Sequence, residues 1–272
     1  MLQRYFIQLS YKGTNYHGWQ IQSNAITVQQ VVNDALKILL RQDVETTGAG
    51  RTDTGVHASF FMAHFDCEHI ELEKNSQFLL QLNSILPKDI SIQKILKVQN
   101  SAHARYDALS RTYEYHMTLH KDPFNTEFAY YLFFSPDVDK MNAAAGILLE
   151  YTDFTSFSKL HTDVKTNNCK ISLASWTKEN DEIVFKITAD RFLRNMVRAI
   201  VGTLIDVGLE KMSMNDLRKV IEIKNRSSAG VSVPSKGLFL TGIDYPSSLF
   251  LNREEGKGIS KKMQANEKKN SF

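Results

Sequence analysis

Residues 4–40 read RYFIQLSYKGTNYHGWQIQSNAITVQQVVNDALKILL, and the apolar period changes once along them. From Arg4 to Tyr11 it is two: Tyr5, Ile7, Leu9 and Tyr11 fall on one face of a strand. After a glycine-bearing turn it becomes helical, with Val28, Val31, Val32, Ala35, Leu36 and Leu39 on one stripe and Thr27 placed to cap it. Strand candidates follow at about 43–47 and at SFFMAHFD, then a helix over LEKNSQFLLQLNSIL and a strand over DISIQKILKV. The order β-α-β-β-α-β predicts a split β-α-β, ferredoxin-like half: an antiparallel sheet with both helices on one face and the other face open.

The remainder has a similar alternation with extra pieces. Strands are expected at RTYEYHMTL, FAYYLFF, CKISLASWT, EIVFKITA and GLFLTGI, and helices at DVDKMNAAAGILLE, over 190–207 and near MNDLRKVIEI. The fold class is therefore α+β: two ferredoxin-like halves, 1–106 and 107–247, with antiparallel sheets and a cleft between them. No strong residue-level repeat accompanies this pattern.

Composition agrees with a folded core, at 42% hydrophobic residues in a chain of 272. No apolar stretch is long enough to span a bilayer, and two cysteines, Cys67 and Cys169, are too few for a disulfide framework, so a soluble, cytoplasmic protein is expected. The formal charge is +3. Residues 253–272 hold six basic and three acidic side chains, which leaves the rest formally neutral. A polyanion partner would thus need charge clustered in space. Residues 248–272 read as a basic, disordered tail.

The chemistry concentrates in GAGRTDTGVHA, residues 48–58. Its glycines match neither a P-loop nor a dinucleotide fingerprint, and a strand instead of a helix is expected to follow; a hairpin loop accounts for them. Arg51 and Asp53 are not so explained. DTG at 53–55 also matches the aspartic protease motif, but that chemistry needs two carboxylates sharing a proton, and the motif occurs once. A neighbouring arginine instead favours a charged carboxylate suited to nucleophilic attack. The plainer reading is an Arg–Asp ion pair that holds a turn. On a helix over 190–207, Arg191, Arg194 and Arg198 would share one face, suited to phosphate contacts or to pairing an aspartate, or simply solvated. Tyr113, Tyr115, Met117 and Leu119 alternate onto one strand face, as core residues or as a base-stacking edge. HFDCEH lacks a second half with ligand spacing, so no metal is expected.

The loop resembles the signature of the TruA family of tRNA pseudouridine synthases, usually GRTDAGVHA. YKGTNYHGWQIQ, TVQQVV, LNSILPKDISI, HARYDALSRTYEYHM, DFTSF, FLRNMVRAIVGTLIDVG and GLFLTGIDYP follow in family order, from about residue 4 to 246. The resemblance implies that the two halves join their sheets into an extended sheet around a central cleft, in a homodimer that isomerises uridine to pseudouridine in the tRNA anticodon stem-loop, at positions 38–40, without cofactor or metal. It implies that Asp53 is the catalytic aspartate, with Arg51 in the same motif and Arg198, the arginine of MVR, paired to the aspartate. Tyr113, first tyrosine of R-x-Y-x-Y, would contact the uridine; with tRNA as substrate, the arginine-face pattern makes Arg191 and Arg194 the expected RNA-binding residues. Thr54 departs from the usual alanine, and KLHTDVKTNNCK replaces an arginine-rich stretch for which Lys159, Lys165 and Lys170 compensate only in part. The competing reading is a catalytically silent RNA-binding protein.

Overall fold

The computed structural model describes residues 2–159 and 166–252. The chain forms two compact units, one of residues up to Ser110 together with those from Leu240 on, the other Arg111–Phe239. The sequence pattern places the boundary between 106 and 107, with the last strand in the second half; in the structure that strand's residues from Leu240 on group with the first unit.

The first unit runs β1 (Gln3–Tyr11), α1 (Val28–Leu40), β2 (Thr47–Gly48), β3 (His57–Cys67), α2 (Ser76–Ile85) and β4 (Ile90–Lys97). β1 is antiparallel to both β3 and β4, and β2 pairs antiparallel with β3. Thr27 caps α1 by accepting from the N–H of Gln30, and Val28, Val32, Ala35, Leu36 and Leu40 are its buried stripe. β2 is shorter than the expected strand at 43–47 because side chains of α1 take its approach. The N–H and hydroxyl of Thr46 donate to Asn33 Oδ1 at 3.0 and 2.7 Å, and its carbonyl accepts from Gln29 Nε2 at 2.5 Å. These backbone groups are satisfied without a ladder.

Tyr5, Ile7 and Leu9 are buried on the expected face of β1, but Phe6 is buried too, on the face expected to be open. It meets His64, Tyr245 and Phe250, with ring centroids 6.1, 5.4 and 6.1 Å away. The Tyr245 hydroxyl donates to the Ala104 carbonyl at 2.5 Å, and Phe250 bridges Val98. The tail expected from 248 therefore begins later, because burial of Phe250 ties the chain down; residues 253–272 lie outside the described residues.

On that same face His64 is 6% exposed and its Nδ1 accepts from the Ala104 N–H at 3.1 Å. Burial, helped by the charges of Arg4 and His103, pushes its pKa down to about 4. Protonation would set one donor against another. The unfolded chain binds this proton near its ordinary pKa of about 6.5, so the stability is complete above that pH and is lost as pH falls toward 4. The loss is on the order of 3 kcal/mol. Urea midpoints measured from pH 7 to 4 are expected to fall in the wild type and to fall less in His64→Asn; equal slopes would remove His64 from the account.

The second unit runs β5 (Ser110–Thr118), β6 (Tyr130–Tyr131), α3 (Val138–Ile147), β7 (Ile171–Glu179), β8 (Glu182–Ala189), α4 (Met196–Gly208) and α5 (Met214–Glu222); β9 (Leu238–Asp244) follows, next to β3 in the first unit's sheet. β8 is antiparallel to both β5 and β7, whereas β6 is parallel to β5, so the strands are mixed and not wholly antiparallel as expected. FAYYLFF gives only two strand residues. Its approach folds on itself, the N–H groups of Phe128 and Ala129 both donating to the Asn125 carbonyl at 3.0 Å, and returns the chain alongside the end of β5.

The helix expected over 190–207 begins at Met196. Asp190 Oδ1 accepts from the N–H of Lys170 and of Arg191, at 2.8 and 2.7 Å, which holds the chain in a turn, and Asn195 is left-handed with φ 65°. Arg191 and Arg194 therefore precede the helix, and the shared cationic face with Arg198 does not form.

Candidate active site

Asp53 sits at the start of a tight turn closed by backbone hydrogen bonds. The Val56 N–H donates to the Asp53 carbonyl at 3.1 Å, and the Gly55 N–H to the Tyr16 carbonyl at 3.2 Å. Gly55 has φ 77°, a value that favours glycine. Asp53 is half-buried between buried Thr52 and exposed Thr54, so the hydroxyl-bearing residue that replaces the usual alanine meets no packing conflict. Arg51 is exposed, and among the described residues its side chain makes no hydrogen bond or ion pair. The turn is not held by an Arg51–Asp53 pair.

Residues 11–19 hold it instead. A Cβ on Gly18, which has φ +83°, would stand 2.1 Å from the Thr52 carbonyl oxygen, and one on Gly13 would stand 2.0 Å from that of Val56. Both glycines thus let the backbone press on the loop from either end. The Gly13 N–H donates to His57 Nδ1 at 2.9 Å, which fixes the buried imidazole with that nitrogen as acceptor. The Tyr11 and Thr52 hydroxyls bond at 2.9 Å. Behind them Trp19 stacks on Phe61 at 4.3 Å, with Tyr11 edge-on to Phe61 at 5.6 Å. Gly13, Gly18, Tyr11, Trp19 and His57 were not singled out in the sequence as site residues. The signal was present in YKGTNYHGW: glycines and aromatics too dense for a simple connection.

In the second unit Tyr113 is half-buried on β5, and Phe192, from the turn before α4, packs edge-on against it at 5.2 Å and 89°. Arg194 is exposed and its carbonyl accepts from the Lys159 N–H, while Arg191 is half-buried. Arg198 lies in the first turn of α4, and its Nε donates to the Val233 carbonyl at 2.7 Å. Tyr115 is fully buried and donates to the next carbonyl, Pro234, at 2.8 Å. Burial raises the pKa of its hydroxyl well above the usual range, partly opposed by the charge of Arg198. Tyr113 and Arg198 are thus each placed by a packed neighbour. Lys159 and Lys170 are exposed, and Lys165 lies outside the described residues.

The histidines after the loop do not converge. His64 turns to Ala104, His69 Nε2 lies 3.1 Å from the Leu40 carbonyl, and the Cys67 thiol faces the His69 carbonyl. Among the described residues no three His, Cys, Asp or Glu side chains group to hold a metal ion, and no helix is long and apolar enough to cross a membrane.

A family model described as tRNA pseudouridine synthase matches residues 8–107 and 148–246, spans that contain Asp53 and Arg198 respectively. The chain belongs to the TruA family of tRNA pseudouridine synthases. The synthase is 54% identical over 252 residues to tRNA pseudouridine synthase A of Bacteroides fragilis, covering 92% of this chain and 99% of that one. It is 56% identical over 250 residues to the protein of the same name from Parabacteroides distasonis, covering 92% and 98%. The Treponema denticola protein of that name is 39% identical over 250 residues, covering 89% and 93%. The synthase is accordingly an isomerase.

Proposed function

We propose that this synthase converts uridine to pseudouridine at positions 38–40 of the tRNA anticodon stem-loop, with Asp53 as the catalytic carboxylate. The observation that carries the proposal is the bracing of the Asp53 turn. Two glycine contacts, a buried histidine and a buried hydroxyl pair hold its backbone, while the carboxylate-bearing residue keeps access to solvent. A loop so fixed suits a group that must stand at one place beside a nucleoside. The isomerisation breaks the C1′–N1 bond, joins C1′ to C5, releases the C5 hydrogen as a proton and leaves one on N1. It is redox-neutral, so the reading invokes no cofactor or metal.

In this reading Tyr113 contacts the flipped-out uridine, Arg198 is the partner of the aspartate, Arg51 acts beside it in the loop, and Arg191 and Arg194 bind RNA phosphates. It carries the family architecture with it: two ferredoxin-like halves around a central cleft, in a cytoplasmic homodimer.

The test is tritium release from transcripts labelled at C5 of uridine, with U38, U39 and U40 replaced singly and together by cytidine. Release is expected to follow the number of uridines left at those positions and to vanish when all three are replaced. Release that ignores the replacements would overturn the site, and intact binding without release from any tRNA would leave the RNA-binding reading.

A further inference from the structure

Residues 226–234 lie as a strap along α4, pinned at successive points. The Gly230 N–H donates to Thr203 Oγ1 at 2.9 Å, and a Cβ on Gly202 would stand 1.9 Å from the Val231 carbonyl oxygen. Asn195 Nδ2 donates to Ser232 Oγ at 2.6 Å, and Val233 exchanges two bonds with Arg198, its N–H donating to the Arg198 carbonyl and its carbonyl accepting from Arg198 Nε. Tyr115 fixes Pro234 from the other side.

Two features of this strap are not explained by ordinary folding needs. Among the described residues, α1, α2, α3 and α5 each begin with a side chain that accepts from a backbone N–H, whereas Asn195, at the start of α4, makes no such bond and turns to Ser232. An asparagine in that position would ordinarily cap. Arg226 is half-buried and desolvation lowers its pKa, yet among the described residues it has no carboxylate partner. Its guanidinium donates to the carbonyls of Ala229 and Gly230, at 3.4 and 3.1 Å, and to Ser232 Oγ at 2.8 Å. Ser232 therefore receives both Asn195 and Arg226, filling both acceptor sites of one hydroxyl.

We infer that Arg226, with Asn195 and through Ser232, is a positioning residue for Arg198. It fixes the strap so that the Val233 carbonyl holds Arg198 Nε, which sets the plane of the guanidinium and the direction of its terminal nitrogens. An arginine that must meet a carboxylate or a phosphate gains most from such preorganisation, since its fork geometry is directional. The inference rests on the proposed role of Arg198 in turnover.

The experiment measures single-turnover tritium release, tRNA affinity and thermal stability for the full chain carrying Arg226→Ala, Ser232→Ala, Ser232→Thr and Arg198→Ala, alone and with Arg198→Ala in the background. Arg226→Ala and Ser232→Ala are expected to slow turnover about 10- to 100-fold, the scale of a misplacement near 1 Å, with tRNA affinity within about threefold. Ser232→Thr, which keeps the hydroxyl, is expected to restore most of the rate. In the Arg198→Ala background, Arg226→Ala and Ser232→Ala should add almost nothing, because each acts through the arginine already removed. If Arg198→Ala slows turnover but the strap variants do not, or slow it equally in both backgrounds, the positioning role is overturned while the role of Arg198 stands. If Arg198→Ala leaves turnover unchanged, the role of Arg198 falls and the positioning role with it. Ser232→Ala removes only one oxygen, so the comparison survives if Arg226→Ala fails to fold.

Discussion

Asp53→Asn is expected to lower turnover at least about 10⁴-fold while leaving tRNA affinity within a few-fold, as loss of a nucleophile or its equivalent does elsewhere. The amide is nearly isosteric with the carboxylate and lacks its charge. The turn that carries it is closed by the Val56 and Gly55 N–H groups, neither of which donates to the Asp53 side chain, so the loop itself should persist. Tritium release and filter binding with the same tRNA separate the two effects. Turnover lost with binding intact assigns the carboxylate to chemistry. If binding were lost in parallel, Asp53 would be a structural anchor, but not through Arg51, whose side chain is exposed and, among the described residues, makes no hydrogen bond or ion pair. Unchanged turnover would remove Asp53 from the mechanism and restore the silent RNA-binding reading.

Period and motif made much of this legible, and the limits have physical causes. The strand β1 and helix α1 follow from a clean change of period, and Thr27 caps as its position suggests, because both depend on near neighbours in sequence. The helical pattern extends before the true start of α4 because Leu193 falls on one stripe with Met196, Val197, Ile200, Val201 and Leu204; what breaks that stripe is the Asp190 side chain taking two N–H groups, one of them from Lys170, twenty residues away. The two-residue β6 and the buried Phe250 were missed for the same kind of reason, long-range contact overriding local pattern. Asp53 could be marked from composition alone, as a carboxylate beside an arginine in a glycine loop. Its bracing could not, since a glycine needed for close approach looks in sequence like one needed for a turn. The strap at 226–234 was equally silent, its serines and glycines reading as loop punctuation.

Gly18→Ala is the sharpest test of that bracing. Two costs coincide at this position. Its φ of +83° lies where a side chain is strained, and the added carbon would stand 2.1 Å from the Thr52 carbonyl oxygen and 3.3 Å from the Asp53 carbonyl carbon. The first costs about 1–2 kcal/mol and the overlap about 1–3 more unless the backbone moves. Something must move, and Thr52 is held by Tyr11, whose ring is locked against Trp19 and Phe61. The freer response is displacement of the 52–55 turn itself, since Thr54 is exposed. The expected result is a lower melting temperature together with a fall in turnover of about 100-fold, with tRNA affinity changed far less. Gly50→Ala is the internal control, because a Cβ there meets nothing within 4 Å although it lies in the same loop. A Gly18→Ala protein that lost stability but kept its rate would show that the strain is absorbed on the 11–19 side. The aspartate would then owe its position to something other than the glycine contact, and residues 11–19 would not be what holds it.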